Sequence, residues 1–299
     1  MAATFVTFFS YKGGAGRSTT CLNTLPLLAD ECGANANAPI LLLDMDIESA
    51  GMTYLLGMQD EFKDKFDVKE LIKGEENWPQ NSVGEGITDH PLYKYFRPVG
   101  KKLGLENDKA VMFLGVDDSS NALDRAVIVG AIEAVLTKFR HFCMNNKVRA
   151  AVFDSAAGDQ FSARLAVEIA DKLVFCMRPT IQFRIGTFNY LKRMSMRVGS
   201  FGDDTDIILL PTVVPADVEI DGVRQLESAA EDIAKRLETL DNLRIYDNFL
   251  SADNFGINEI GRFKWKEGIL YDLKKSRELK EDEKTALVRY TKLAKLIVD

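Results

Sequence analysis

Near the start of the chain, Ser10-Tyr11-Lys12-Gly13-Gly14-Ala15-Gly16-Arg17-Ser18-Thr19-Thr20 sets glycines between two cations and follows the second cation with hydroxyls. Glycines leave the backbone free to turn its N–H groups together onto the oxygens of a phosphate. A helix opening at this point would add the partial positive charge of its first turn. A hydroxyl directly after the basic residue, here Ser18, is placed to coordinate Mg²⁺. The chemistry that suits these types is the grip of a phosphate chain, with Lys12, Gly13, Gly14, Ala15, Gly16, Arg17, Ser18 and Thr19 as the cradle. A glycine-rich turn without a ligand is the plain alternative.

Carboxylates follow at two further places. Ile40-Leu41-Leu42-Leu43-Asp44-Met45-Asp46 ends an apolar run in two acids. Arg149-Ala150-Ala151-Val152-Phe153-Asp154-Ser155-Ala156-Ala157-Gly158 does the same with one. Ligands of open α/β sheets bind outside the carboxyl ends of the strands, which is where these acids would stand. A pair of solvated carboxylates opening a turn is the competing reading for Asp44 and Asp46.

The elements that must position these groups follow from the hydrophobic pattern. Thr4–Phe9, Ile40–Leu43, Val111–Leu114, Ala150–Phe153, Leu173–Cys176 and Ile207–Leu210 are near-continuous apolar runs. Such runs suit strands covered on both faces. Between them, 123–144 and 225–240 carry apolar residues at helical spacing, with Leu226, Ala230, Ile233, Leu237 and Leu240 on one stripe. Alternation of this kind predicts an α/β fold, a doubly wound and mainly parallel sheet with helices on both faces. The glycine loop lies between a strand and a helical pattern (Cys21, Leu22, Leu25, Leu28), the context a phosphate loop needs. Pro26 is expected to bend that helix without disturbing the loop. One domain spans 1–299, with an irregular excursion from the core at about 74–109 and a C-terminal helical segment at about 255–299.

The loop resembles the deviant Walker A motif, K-G-G-x-G-K-[ST]-T, of the ParA/MinD family of dimerising ATPases, in the subgroup that carries arginine in the loop. The resemblance covers about residues 3–215. It implies the P-loop NTPase fold, ATP and Mg²⁺ as ligands, and a homodimer with nucleotide at the interface. Lys12 matches the lysine that reaches across that interface to the partner's nucleotide. Asp46 matches the aspartate that orients the attacking water, and Asp44 the one nearer the metal. Asp154 would hold Mg²⁺ through water, and the Gly158 amide would sense the γ-phosphate. Arg178 faces either nucleotide or partner, or is a plain surface arginine. Pro211-Thr212-Val213-Val214-Pro215 stands where the family often carries asparagine for adenine. Arg17 replaces the loop lysine. A planar, forked guanidinium is no equivalent of a compact ammonium, so nucleotide binding is expected to survive and hydrolysis to be slow or absent.

The remaining features narrow the partners. A net charge of −7 argues against a protein coated in nucleic acid, although the basic helix at 184–197 (Arg184, Lys192, Arg193, Arg197) is the best candidate for nonspecific DNA. Four cysteines without a C-x-x-C pair fit reduced thiols, and neither a signal peptide nor a membrane-spanning run is visible, so a cytoplasmic location is expected. The stripe of Leu287, Tyr290, Ala294 and Ile297 suits packing on the sheet or, alternatively, peripheral contact with a membrane. Trp265, between lysines, reads as a half-buried surface residue, with stacking on a base or headgroup as the alternative. The leading expectation is a nucleotide-dependent dimerising switch that positions or regulates a protein assembly through an unidentified protein partner, for example in polar localisation or pilus assembly. A DNA-partitioning ATPase, a metabolic phosphotransferase (against which Lys12 argues) and a nucleotide-free scaffold with a relic loop are the alternatives.

Overall fold

A computed structural model describes residues 3–73, 87–117, 132–196, 205–215, 220–240, 243–251, 255–260 and 268–299. Its strands are β1 (Thr4–Ser10), β2 (Ile40–Met45), β3 (Arg97–Pro98), β4 (Val111–Leu114), β5 (Ala150–Ala157), β6 (Lys172–Met177), β7 (Asp206–Pro211) and β8 (Ile245–Tyr246). They form one sheet in the order β3-β4-β2-β5-β1-β6-β7-β8. The described pairings are parallel except β3 with β4. Each apolar run of the sequence lies within a strand, and β2 is buried at every position. That is the signature of strands with cover on two sides.

The cover is helical. α1 (Arg17–Glu31) follows β1; the short α2 (Gly51–Leu55), α3 (Gln59–Phe62) and α4 (Val68–Lys73) follow β2. α5 (Ile132–Asn145), α6 (Phe161–Glu168), α7 (Ile181–Ser195) and α8 (Ile220–Leu237) follow in order, and α9 (Leu270–Ser276) and α10 (Glu281–Val298) end the chain. Alternate residues of β1 share one face. Phe5 meets Phe139 of α5, the Thr7 hydroxyl bonds to the Ala166 carbonyl of α6, and Phe9 packs on Tyr190 of α7. Connections running leftwards from β1 and rightwards from β5 put α1 on the opposite face when both are right-handed. There α10 lies along α1, burying Ala286, Tyr290, Leu293, Ala294 and Ile297. The apolar stripe that could have met a membrane is thus spent on packing. No helix among the described residues is long and apolar enough to cross one.

α1 continues as one helix through Pro26; the side chains of Asn23 and Thr24 bond back to the Thr19 and Thr20 carbonyls, and Pro26 removes a single donor. One expectation needs revision. The stretch read as an excursion is, over 87–109, part of the core. It forms short 3₁₀ turns and the edge strand β3, and Leu92, Val99 and Leu103 are fully buried. Its apolar residues are spaced for tight turns rather than for helix or strand, which hid their burial. Residues 74–86, 123–131, Arg197 and Trp265 lie outside the described residues, as does the side chain of Leu226.

Candidate functional site

Three parallel strands end side by side, and each delivers part of the site. In register, Asp154 of β5 stands beside Phe8 of β1 on one flank and Asp44 of β2 on the other. Beyond β1 the chain turns through the glycine loop, where Gly14 and Gly16 have φ of 81° and 70°. These are left-handed conformations that favour glycine. At Gly16 a side chain would also stand 3.0 Å from the Val213 Cγ2. Gly16 caps α1, so Arg17 is the first helical residue.

Arg17 points back across the strand ends. Its Nε donates to Asp154 Oδ1 at 2.9 Å, and its Nη2 to Asp46 Oδ2 at 3.0 Å and to Ser18 Oγ at 3.5 Å. Arg17 is 8% exposed and Asp154 not at all, and Asp154 Oδ2 is buried and unpartnered. Burial by itself works against the Arg17 charge, but the two carboxylates outweigh it and hold the guanidinium above its ordinary range. Burial lifts Asp154 above the usual carboxylate range, with Arg17 pulling the other way. The four side chains that the sequence nominated around the phosphates, Arg17, Ser18, Asp46 and Asp154, therefore meet.

Asp44 does not join them. It is fully buried and turned to α2: Oδ2 accepts from the Thr53 amide and hydroxyl, both at 2.8 Å, and Oδ1 from the Asp46 amide at 3.2 Å. Burial, then the nearby Asp154 charge, push its carboxyl from 3.8 up to about 7. Lys12 also stands apart, exposed, with its Nζ 5.8 Å from the centre of the Phe183 ring on α7. Tyr11 is wedged against α7 at Gly186, where an added Cβ would lie 2.3 Å from the ring. The Gly158 amide donates to the Ser10 carbonyl at 2.9 Å, tying the end of β5 to the end of β1.

Residues that sequence reasoning left open or missed complete the cradle. Arg178 Nε donates to the Gly14 carbonyl at 2.7 Å, and the buried Thr212 hydroxyl bonds to the Ala15 carbonyl, so both brace the loop from behind. Beside the loop opens a cavity of about 290 Å³ lined by Gly14, Gly16, Thr19, Thr20, Arg178, Thr212, Val213, 257–260 and Tyr290. Val213 lines it with φ 54°, a strained backbone for a β-branched residue. Arg289 of α10 holds the outer wall through the Phe255 and Gly256 carbonyls, at 3.0 and 2.6 Å, and the Asn258 side chain. No motif announces Arg289; a cation on the otherwise buried side of an amphipathic helix is the one available signal.

A divalent ion fits this arrangement poorly. The oxygens it would take, Asp154 Oδ1, Asp46 Oδ2 and Ser18 Oγ, are all held by the Arg17 guanidinium. Both oxygens of Asp44 are already occupied by α2 and the Asp46 amide. The carboxylate oxygens that Arg17 leaves over are Asp154 Oδ2, buried beside the cation, and Asp46 Oδ1.

No protein-family model and no curated protein matches the sequence. Solved structures do match the fold. A Cyanothece McdA(D38A)–ATP complex aligns with TM-score 0.66 at 18% identity, covering 99% of this chain and 96% of that one. The septum site-determining protein MinD of Pyrococcus horikoshii OT3, complexed with Mg-ADP, aligns with TM-score 0.56 at 17% identity over 99% and 96%. A Borrelia burgdorferi plasmid partition protein aligns with TM-score 0.55 at 15% identity over 98% and 100%. At such identities the likeness establishes the fold: the mainly parallel, doubly wound sheet expected from the sequence is that of the MinD and ParA P-loop NTPases.

Proposed function

We propose that this chain is a cytoplasmic ATP-binding switch of the ParA/MinD type, which dimerises around nucleotide and positions or regulates a protein assembly. The observation that carries this reading is the meeting of Arg17, Ser18, Asp46 and Asp154 at the mouth of the glycine loop, with a 290 Å³ cavity beside them. The loop would take the phosphates, and the cavity between Val213 and Tyr290 the nucleoside. The fold shared with an ATP complex of McdA and a Mg-ADP complex of MinD supports the same assignment.

Hydrolysis should be slow. Orienting a water for in-line attack asks a carboxylate to accept from it, and Asp46 is tied by Oδ2 to a fixed cation, which leaves Oδ1 alone and weakens it as an acceptor. The protein is then a binder whose nucleotide state lasts, which suits an adaptor better than a motor. The basic helix favours no DNA-bound reading. Arg184 is paired with Asp232 at 2.8 Å, and Arg193 lies over the Tyr190 ring at 5.5 Å.

Lys12 carries the dimer. Exposed beside the cradle and free of any ion pair among the described residues, it is available to a second copy. The test is solution mass with and without ATP. ATP should convert monomer to dimer, and Lys12→Ala should stay monomeric while binding ATP as the parent does. A Lys12→Ala protein that dimerises normally, or a parent that binds no ATP at millimolar concentration, would refute the reading.

A further inference from the structure

In this site a side chain stands where the phosphate-bound cation would be. Arg17 holds one oxygen of each of the three groups that would face a divalent ion, each through a directed N–H: Asp154 by Nε, Asp46 and Ser18 by Nη2. We infer that the Arg17 guanidinium takes the place of the divalent cation, so that the cradle binds a nucleoside triphosphate free of metal. This rests on the nucleotide reading above and sharpens it.

Three observations lead there. The first is the donor inventory. A guanidinium has five N–H groups; Nε and Nη2 serve the protein, and Nη1 has no partner among the described residues. A cation linking a carboxylate shell to phosphate oxygens needs that pattern, with protein on one side and unspent donors on the other. Arginine also meets phosphate as a fork.

The second is that Arg17 is anchored. Withdrawing it to admit an ion would strip Asp154, which has zero exposure, of its counter-charge and leave Oδ2 still unpartnered. Losing one member of a buried pair is strongly unfavourable. The third is room and sign. A cation entering between Asp46 and Asp154 would lie within hydrogen-bond range of a guanidinium held permanently charged by the same two carboxylates. The next carboxylate on β2, Asp44, is spent on Thr53.

The decisive measurement is the affinity of the full chain for ATP, by calorimetry, in excess magnesium and again in excess EDTA. If Arg17 does the ion's work, the two dissociation constants agree within about threefold. An Arg17→Lys variant, whose ammonium cannot span both carboxylates, should lose at least about tenfold on chelation. A parent protein that itself weakens about tenfold or more in EDTA overturns the inference and leaves the nucleotide reading standing. Absence of ATP binding in both buffers overturns the nucleotide reading and this inference with it. The comparison on the unaltered protein decides the matter even if the variant misfolds.

Discussion

Replacing Arg17 by methionine keeps the apolar stem of the side chain and deletes its charged head. In the folded protein this removes two ion pairs, of 2.9 Å to Asp154 and 3.0 Å to Asp46. Their costs differ, because Asp46 keeps 15% of its side chain in solvent and Asp154 none. Asp46 can be rehydrated, so most of the penalty is that of Asp154 left buried and uncompensated, about 3–5 kcal/mol for such a site. Protonation limits it: drawing a proton onto an ordinary carboxyl at neutral pH costs about 4 kcal/mol. A loss of about 3–4 kcal/mol is therefore expected. For 299 residues at about 2 cal/mol/K each, that lowers the melting temperature by about 5–6 °C.

Acid supplies the diagnostic. Each pH unit below neutrality makes the proton on Asp154 about 1.4 kcal/mol easier to acquire, so the deficit of Arg17→Met should shrink between about pH 7 and pH 5. Adding Asp154→Asn should recover more than half of it at neutral pH. The assay is thermal or urea unfolding of parent, single and double variants across that range. A single variant that melts within about 1 °C of the parent, or a deficit that ignores pH, would refute the claim that Arg17 neutralises a buried carboxylate.

Three further outcomes follow from the same geometry. Asp44, lifted from 3.8 to about 7, holds its proton more tightly folded than unfolded; its contribution is complete below about pH 4 and is lost as pH rises through about 7. Denaturation at about pH 5 and pH 8 should show stability falling with pH, and falling less in Asp44→Asn; an unchanged slope would count against the burial argument. Gly186→Ala puts a Cβ 2.3 Å from the Tyr11 ring, an overpacking worth about 1–3 kcal/mol. Because Tyr11 begins the loop, ATP affinity should fall along with the melting temperature. Arg289→Ala removes the charged hydrogen bonds that one nitrogen, Nη1, shares among Phe255, Gly256 and Asn258, about 1.5–3 kcal/mol in all. Calorimetry should find weaker ATP binding, since that wall borders the cavity.

The legible part of this molecule is the part that periodicity and position control. Strands with cover on both faces must be apolar throughout, so their runs reveal the sheet, and acids at the ends of two of them reveal the ligand edge. What escaped notice depends on partners distant in sequence. β3 is two residues long and is a strand only because β4 lies beside it. Asp44 and Asp46, two apart, should share a face if the strand ran on. It stops at Met45, and the chain folds back with the Ser49 and Ala50 amides on the Asp46 carbonyl. The alternation lapses there, and the two carboxylates part, one towards Thr53 and one towards Arg17. No pattern in the sequence states where a strand's last residue falls to that accuracy.

The same strand ends explain what arginine does that lysine could not. Parallel register sets Asp44 and Asp154 opposite each other, and Asp46 follows at once, so three carboxylates crowd one end of the sheet. The structure meets this in two ways: Asp44 is held close to neutrality by its burial, and Arg17 forks between the other two. A lysine, a single point of charge, would neutralise one carboxylate and leave the second facing the incoming phosphates. With arginine both are quiet before nucleotide arrives, at the expense of holding Asp46 away from water. On the proposed reading, metal-free binding and slow turnover would be one property of one side chain, and a variant that separates them would show that the two carboxylates are not bridged together in solution.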